Sequence, residues 1–300
     1  MVKSVYKPQL NFPNICSNIE SFIKDTMVNL DRDGAVLGLS GGLDSAVTAA
    51  LTVRSLGADR VHFLNLPERD SKPIHQYHAK QLAKYFGVKF ISKSLTPILR
   101  ASKTYRLLPI HLIPFRKLRG KAIEYGKSRF FAGRSDKILE ARLKPKANSW
   151  IARGNSYAVT KHRMRMVMIY QYADQHNLMV VGAANRTEWL TGTFCKWGVD
   201  HCADVMPIIH IYRSQLEDIA EFLEIPEIIR SKPPDPDVLP GIPNKVELVG
   251  ETVVVDQILF SIENNKDLSE FYKVYGKENV DKILTLFNFS KHMRESPYHL

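Results

Sequence analysis

The most constraining stretch of this chain is an apolar run, Ala35 to Leu39, that stops at Ser40-Gly41-Gly42 and passes to Leu43, Asp44 and Ser45. A second apolar run with helical spacing follows directly. Strand, glycine-rich turn and helix N-terminus in that order make an anion site. The first N–H groups of the helix lack partners there, and its dipole is positive. Gly41 and Gly42 let the backbone close around phosphate oxygens, and Ser40 and Ser45 add hydroxyls. The loop has neither the Gly-Lys-Ser/Thr ending of a Walker A motif nor a Gly-x-Gly-x-x-Gly run. Asp44 is the informative residue. A carboxylate beside a phosphate cradle repels the ligand unless a cation lies between them, so Asp44 reads as a Mg²⁺ ligand.

The pattern around this unit is β-α-β-α-β. A helix capped by Asn14 carries apolar residues at Ile15, Ile19, Phe22, Ile23, Met27 and Leu30. Strands are expected at 35–39, 61–66, 88–92 and 178–183, with a short one near 205–209. Helices are expected near 43–56, 75–86, 161–176, 214–223, 248–262 and 280–289. The alternation predicts an α/β fold with a doubly wound parallel sheet, Rossmann-like and covered on both faces. Residues 231–246 hold five prolines (SKPPDPDVLPGIPNKV) and read as an irregular loop. The chain reads as one domain, 1–300, with a basic insertion at about 100–155 and a helical C-terminal part.

That insertion dominates the charge. The chain carries 42 basic and 31 acidic residues, a net charge of +11, which favours anionic partners. From Arg100 to Arg165 only Glu124, Asp136 and Glu140 oppose a dense run of Lys and Arg. Such a stretch reads as a lid or docking element, separable from the core. No apolar run reaches the roughly 20 residues that a bilayer span needs, and the N-terminal stretch lacks a secretory pattern. A cytoplasmic protein without membrane association is therefore expected. Its three cysteines, Cys16, Cys195 and Cys202, contain no Cys-x-x-Cys and fit neither a disulfide framework nor a zinc knuckle. His201 beside Cys202 reads as a structural histidine. Lys161, Arg163 and Arg165 sit at alternate helix positions, and their plain reading is a solvated basic face.

SGGLDS after an apolar strand resembles the pyrophosphate loop of the N-type ATP pyrophosphatases. The later segments, in order, resemble the ammonia-dependent NAD synthetases of that superfamily. These are KHRMRMVMIYQYAD, LMVVGAANRTEW, TGTFCKWGVDHCADVMPI, IIHIYRSQLEDIAEFL, KPPDPDVLPG and SKHMRESP. The resemblance implies a C–N ligase that binds ATP through Gly38, Ser40, Gly41, Gly42, Asp44, Ser45, Arg213 and Asp235. It implies Mg²⁺ on Asp44 and Glu188, with Asp44, Glu188 and Arg213 carrying the catalysis. It further implies a deamido-NAD site that includes Arg163, Lys196, Asp200, Asp204 and His292.

Such an enzyme adenylates a carboxylate and amidates it with ammonia, which is supplied free or by a separate glutaminase. Family members are usually homodimers, and nucleic acid is not expected as a partner. The chain departs from the family pattern at several points. Ala183 and Asp235 each stand for Thr, Arg213 for Lys and Met293 for Lys. GVDHCAD is one residue longer than the family's segment, so Val199 or Asp200 could fill the place of its first aspartate. These departures leave two alternatives: a paralogue amidating another metabolite carboxylate, or an ATP-dependent tRNA-modifying enzyme.

Overall fold

Strands β1 (Gly34–Gly38), β2 (Val61–Asn65), β3 (Lys89–Ser92) and β4 (Leu178–Val181) form one sheet in the order β3-β2-β1-β4. The computed structural model describes residues 11–131, 141–232 and 250–295. Every pairing is parallel, with Ala35 opposite Val61 on one side of β1 and Met179 on the other. The strands alternate between two buried faces, which is why they read as nearly continuous apolar runs. Ala35, Leu37, Met179 and Val181 pack with Ile19 and Ile23 of helix α1 (Phe12–Asn29) and Leu51 of α2 (Leu43–Leu56). Leu216 and Ile219 of the helix Arg213–Phe222 complete that layer. Val36, Leu64 and Val180 face Leu99, Tyr157 and Ile169 on the opposite side. A third cluster joins Leu190 and Tyr212 to the C-terminal helices through Ile258, Leu259, Val280 and Ile283.

The doubly wound sheet is as expected; several boundaries are not. Helix α1 starts at Phe12, capped by the Asn11 side chain rather than Asn14, because Pro13 has no N–H to leave unsatisfied in a first turn. Phe22 and Leu30 face solvent despite their helical spacing. The strand expected near Val205 shrinks to a single bridge between Val181 and Val205. The helix expected from Lys161 begins at Trp150, where the Ser149 side chain accepts from the Ala152 N–H. The proline-rich stretch falls almost wholly outside the described residues.

The basic insertion also differs from its reading. Tyr105 and Ile110 lie in the second core cluster, with Leu107, Leu108, Ala122 and Ile123 packed against it. Arg119 is 5% exposed and Arg142 donates to the Gly192 carbonyl at 3.0 Å. The described part of the insertion is therefore tied into the fold and is not a detachable lid. Arg119 and Arg142 are accommodated because each found carboxylate or carbonyl partners, a match that composition does not reveal.

Candidate functional site

Connections from β1 to β2 and β3 run one way, and the chain then returns to lay β4 on the other side of β1. The crevice at the C-terminal ends of β1 and β4 is thus the topological switch point, where open α/β sheets bind ligands. The Ser40–Ser45 loop leaves β1 at that point. Ser40 Oγ and Ser45 Oγ lie 2.9 Å apart, Gly42 N–H donates to Ser40 Oγ at 3.2 Å, and Ser45 Oγ donates to the Gly42 carbonyl at 3.0 Å. Both hydroxyls are thereby preset at the head of α2, next to its unsatisfied N–H groups.

Gly41 has φ +76°, and a Cβ there would lie 2.6 Å from the His75 carbonyl oxygen at the start of helix α3 (Pro73–Phe86). Lys232 closes the loop from outside, donating to the Gly41 carbonyl at 3.1 Å and to His75 Nδ1 at 2.5 Å. Gly41→Ala combines a left-handed φ with a backbone clash, a strain of about 1–3 kcal/mol. Calorimetry should therefore show ATP affinity falling by roughly tenfold or more. Unchanged affinity would mean that the loop does not hold the phosphates. At Gly38, expected to meet the nucleotide, a Cβ would lie 2.9 Å from Ile169 Cδ1, so the long helix packs closely on the end of β1 there.

Asp44 opens α2 and receives the Asn185 Nδ2 donor at 2.7 Å. Asn185, fully buried, also caps the helix Arg186–Thr191, accepting from the Glu188 N–H at 2.9 Å. One amide thus ties Asp44 to Glu188 across the crevice. Sequence reasoning missed Asn185, although Asn-Arg-Thr-Glu is a legible capping box. Burial, the negative charge of Asp44 and that of Asp200 push the Glu188 carboxyl well above its ordinary range. Burial first, and Asp44 as well, raise Asp200, whose Oδ1 accepts from the Ala183 N–H at 2.9 Å. Asp200 therefore belongs to the acidic group at the end of β4.

Arg213 heads its helix at 8% exposure, and its buried Nη1 has no hydrogen-bond partner among the described residues. Its backbone N–H donates to Thr187 Oγ1 at 2.9 Å. Asp256 receives the Thr187 hydroxyl at 2.5 Å and the Ser214 N–H at 2.8 Å. Asp256 and Thr187, which sequence reasoning also missed, thus aim the arginine; no local motif signals a carboxylate arriving from a helix so far along the chain.

These residues fit ATP with Mg²⁺. An orphaned guanidinium donor calls for an anion, and mutually repelling carboxylates call for a cation. No three His, Cys, Asp or Glu side chains among the described residues are placed to hold a metal by themselves. That suits Mg²⁺, which binds through one or two carboxylates and completes its shell with phosphate oxygens and water.

The expected acid-binding side chains divide into two groups. Arg163 Nη2 donates to the Lys196 carbonyl at 3.3 Å, while Lys196 Nζ donates to the His292 carbonyl and lies 5.1 Å from the Trp197 ring centre. Arg163, Lys196 and His292 therefore come together. His201 stacks on Phe194 at 5.6 Å and Trp189 at 5.8 Å, with Trp197 edge-on, forming an aromatic wall next to these cations. Asp204 goes elsewhere: its Oδ2 accepts from the Val180 N–H at 2.7 Å and its Oδ1 from the Tyr170 hydroxyl at 2.9 Å. Those bonds secure β4 against the long helix and set Asp204 apart from the Arg163, Lys196 and His292 group. Lys161, read as part of a solvated basic face, is fully buried because two acidic side chains follow β2 opposite it. Asp235 lies outside the described residues.

A parallel sheet with a phosphate cradle and paired carboxylates at its switch point defines a nucleotide-binding α/β enzyme. A profile of the NAD synthase family matches residues 15–109 and 133–297. The NH(3)-dependent NAD(+) synthetase of Thermotoga maritima is 39% identical over 278 residues, covering 92% of this chain and 96% of that protein. That of Thermotoga neapolitana is 37% identical over 279 residues, covering 92% and 93%. The chain belongs to the NAD synthase family and is a C–N ligase by that membership. Among solved structures, an NMN synthetase from Francisella tularensis superposes with a TM-score of 0.69 at 23% identity, covering 97% of this chain and 99% of that one. The NH3-dependent NAD synthetase of Campylobacter jejuni gives 0.66 at 21% identity, covering 97% and 100%. At those identities the likeness establishes the fold.

Proposed function

We propose that the protein amidates deamido-NAD with ammonia, converting ATP to AMP and pyrophosphate. The observation that carries this reading is the Asn185 bridge, which holds Asp44 beside Glu188 at the mouth of the Ser40–Ser45 loop. A carboxylate is a poor electrophile, so the acid's oxygen attacks the α-phosphorus of ATP and pyrophosphate leaves. Ammonia then attacks the acyl carbon, loses a proton and displaces AMP. The loop N–H groups and Arg213 stabilise the charge that develops on the departing pyrophosphate. Asp44 and Glu188, with Asp200 close by, would hold Mg²⁺, which would supply further neutralisation there. Arg163 and Lys196 offer two cations to an anionic acid, and the Trp189–His201 wall offers apolar surface to its ring.

The relatives are NH(3)-dependent NAD(+) synthetases, and their similarity along nearly the whole chain supports carrying ammonia and the NAD product over. A homodimer, with nitrogen taken free or from a separate glutaminase, belongs to the same reading. None of the helices among the described residues is long and apolar enough to cross a membrane.

The test is pyrophosphate release with ammonia, Mg²⁺ and a panel of carboxylates, deamido-NAD first. AMP and pyrophosphate should appear in equal amounts only when acid and ammonia are both present. ADP and phosphate as products would overturn the reading. Turnover with another carboxylate but not deamido-NAD would select the paralogue instead, the reading that the lengthened GVDHCAD segment favours.

A further inference from the structure

Reaction chemistry leaves one charged cluster without a role. Glu68 and Asp70 follow β2 at the same C-terminal edge of the sheet, with 0% and 1% of their side chains exposed. Lys161 Nζ donates to Glu68 Oε1 at 2.9 Å and stands 3.5 Å from Asp70 Oδ2. Tyr105 donates to Glu68 Oε2 at 2.7 Å, and Tyr157 to Asp70 Oδ2 at 2.5 Å. Arg69 Nε stands 3.6 Å from Asp70 Oδ2, and Arg119 Nε donates to Asp70 Oδ1 at 2.8 Å while its Nη1 donates to the carbonyls of Ile113 and Pro114 at 2.8 and 2.9 Å. Burial opposes ionisation of Asp70, yet Lys161, the Tyr157 hydroxyl, Arg119 and Arg69 together hold its carboxyl below the usual range.

An apolar cluster in this place would be at least as stable, since burying charges is costly even when they are paired. What the ion network adds is direction. Charge-assisted hydrogen bonds have fixed lengths and angles, so they hold the helix Trp150–Gln175 at one station relative to the loop after β2. Arg163 and Arg165 follow Lys161 on that helix, and Arg165 Nε donates to the Leu66 carbonyl at 3.2 Å, just before the loop. Lys161 is shared between two carboxylates. Without Arg119, Asp70 loses a cation and draws Lys161 away from Glu68, moving the helix that presents Arg163. Arg119 comes from the stretch 110–132 that the family profile leaves unmatched. The anchoring cation thus comes from a stretch outside the profile match.

We propose that Arg119 is a positioning residue, which sets the helix bearing Arg163 against the acid-substrate pocket through Asp70 and Lys161. The insertion around it is a fixed wall of the site. The kinetic part of this proposal rests on the amide-ligase reading; the structural part does not.

The test compares the full-length parent with Arg119→Met and Arg119→Lys. Hydrogen–deuterium exchange should rise across residues 157–166 in the Met variant and stay unchanged across 43–56. The KM for deamido-NAD should rise between about 10- and 100-fold, as for a modest misplacement of a binding group. The KM for ATP should stay within about twofold, because the phosphate loop is untouched. Arg119→Lys, which keeps a cation beside Asp70, should recover most of both losses. If Arg119→Met does not fold, Arg119→Gln carries the same comparison. Unchanged exchange at 157–166 would overturn the proposal, as would an equal rise in both KM values, the mark of general loosening. If the parent itself shows no turnover with deamido-NAD, the ligase reading fails, and the exchange comparison still decides the role of Arg119.

Discussion

Asp44→Asn and Glu188→Gln should each lower turnover by at least ~10²-fold at saturating Mg²⁺, the usual cost of removing one electrostatic partner of a transition state. Both substitutions are nearly isosteric. Asn at 44 keeps an oxygen for Asn185 Nδ2, and Gln at 188 keeps one for the Asn185 N–H, so the fold should survive. Stability should move the other way for Glu188→Gln. Burial and the neighbouring Asp44 and Asp200 raise the folded-state pKa of Glu188 above its ordinary value. The stability linked to this group is therefore fully present below its unfolded-state pKa and is lost as pH rises through the raised one. Gln carries no proton to lose. In metal-free protein, thermal unfolding against pH should flatten in the variant, leaving it more stable than the parent above that window. Near-normal turnover in both variants, or a Gln variant that melts lower throughout, would remove these residues from the metal site.

Lys161→Met should be the most destabilising substitution of those considered. It leaves Glu68, with no side-chain exposure, without its cation and with the Tyr105 hydroxyl as its remaining hydrogen bond among the described residues. Breaking a buried pair from one side costs about 3–5 kcal/mol, which for a chain of this size lowers the melting temperature by roughly 10 °C. The double variant Glu68→Gln/Lys161→Met removes both charges and should recover part of that loss. Arg163→Met, two residues along the same helix but exposed, should leave the melting temperature nearly unchanged and raise the KM for the acid. Calorimetric melting of the four proteins checks this. A loss below about 1 kcal/mol for Lys161→Met, the level of a surface ion pair, would mean that Lys161 is not held as described.

The contrast between Lys161 and Arg163 marks how far local pattern reaches. Helical periodicity placed both on one helix and left a solvated basic face open for Lys161, since nothing local says that Glu68 and Asp70 arrive opposite it. The same holds for Asp204: its match to a substrate-facing segment was legible, while its bonds to Val180 and Tyr170 depend on how the long helix crosses β4. The helix start at Trp150 was hidden because WIARGNSYAVT has no clean apolar stripe, and only its Ser149 cap and its packing against the sheet show the helix beginning there.

By itself the sequence determined the parallel α/β architecture, the glycine-rich turn at the head of α2, and the family. Each of these is written in neighbouring residues: an apolar strand, two glycines at a turn, segments in order. Only the tertiary structure decided that Asn185 bridges the two carboxylates, that Asp256 and Thr187 aim Arg213, and that the basic insertion is pinned to the core by Arg119. Those are pairings between residues far apart in the chain, and a buried charge takes its meaning from the partner that folding brings to it.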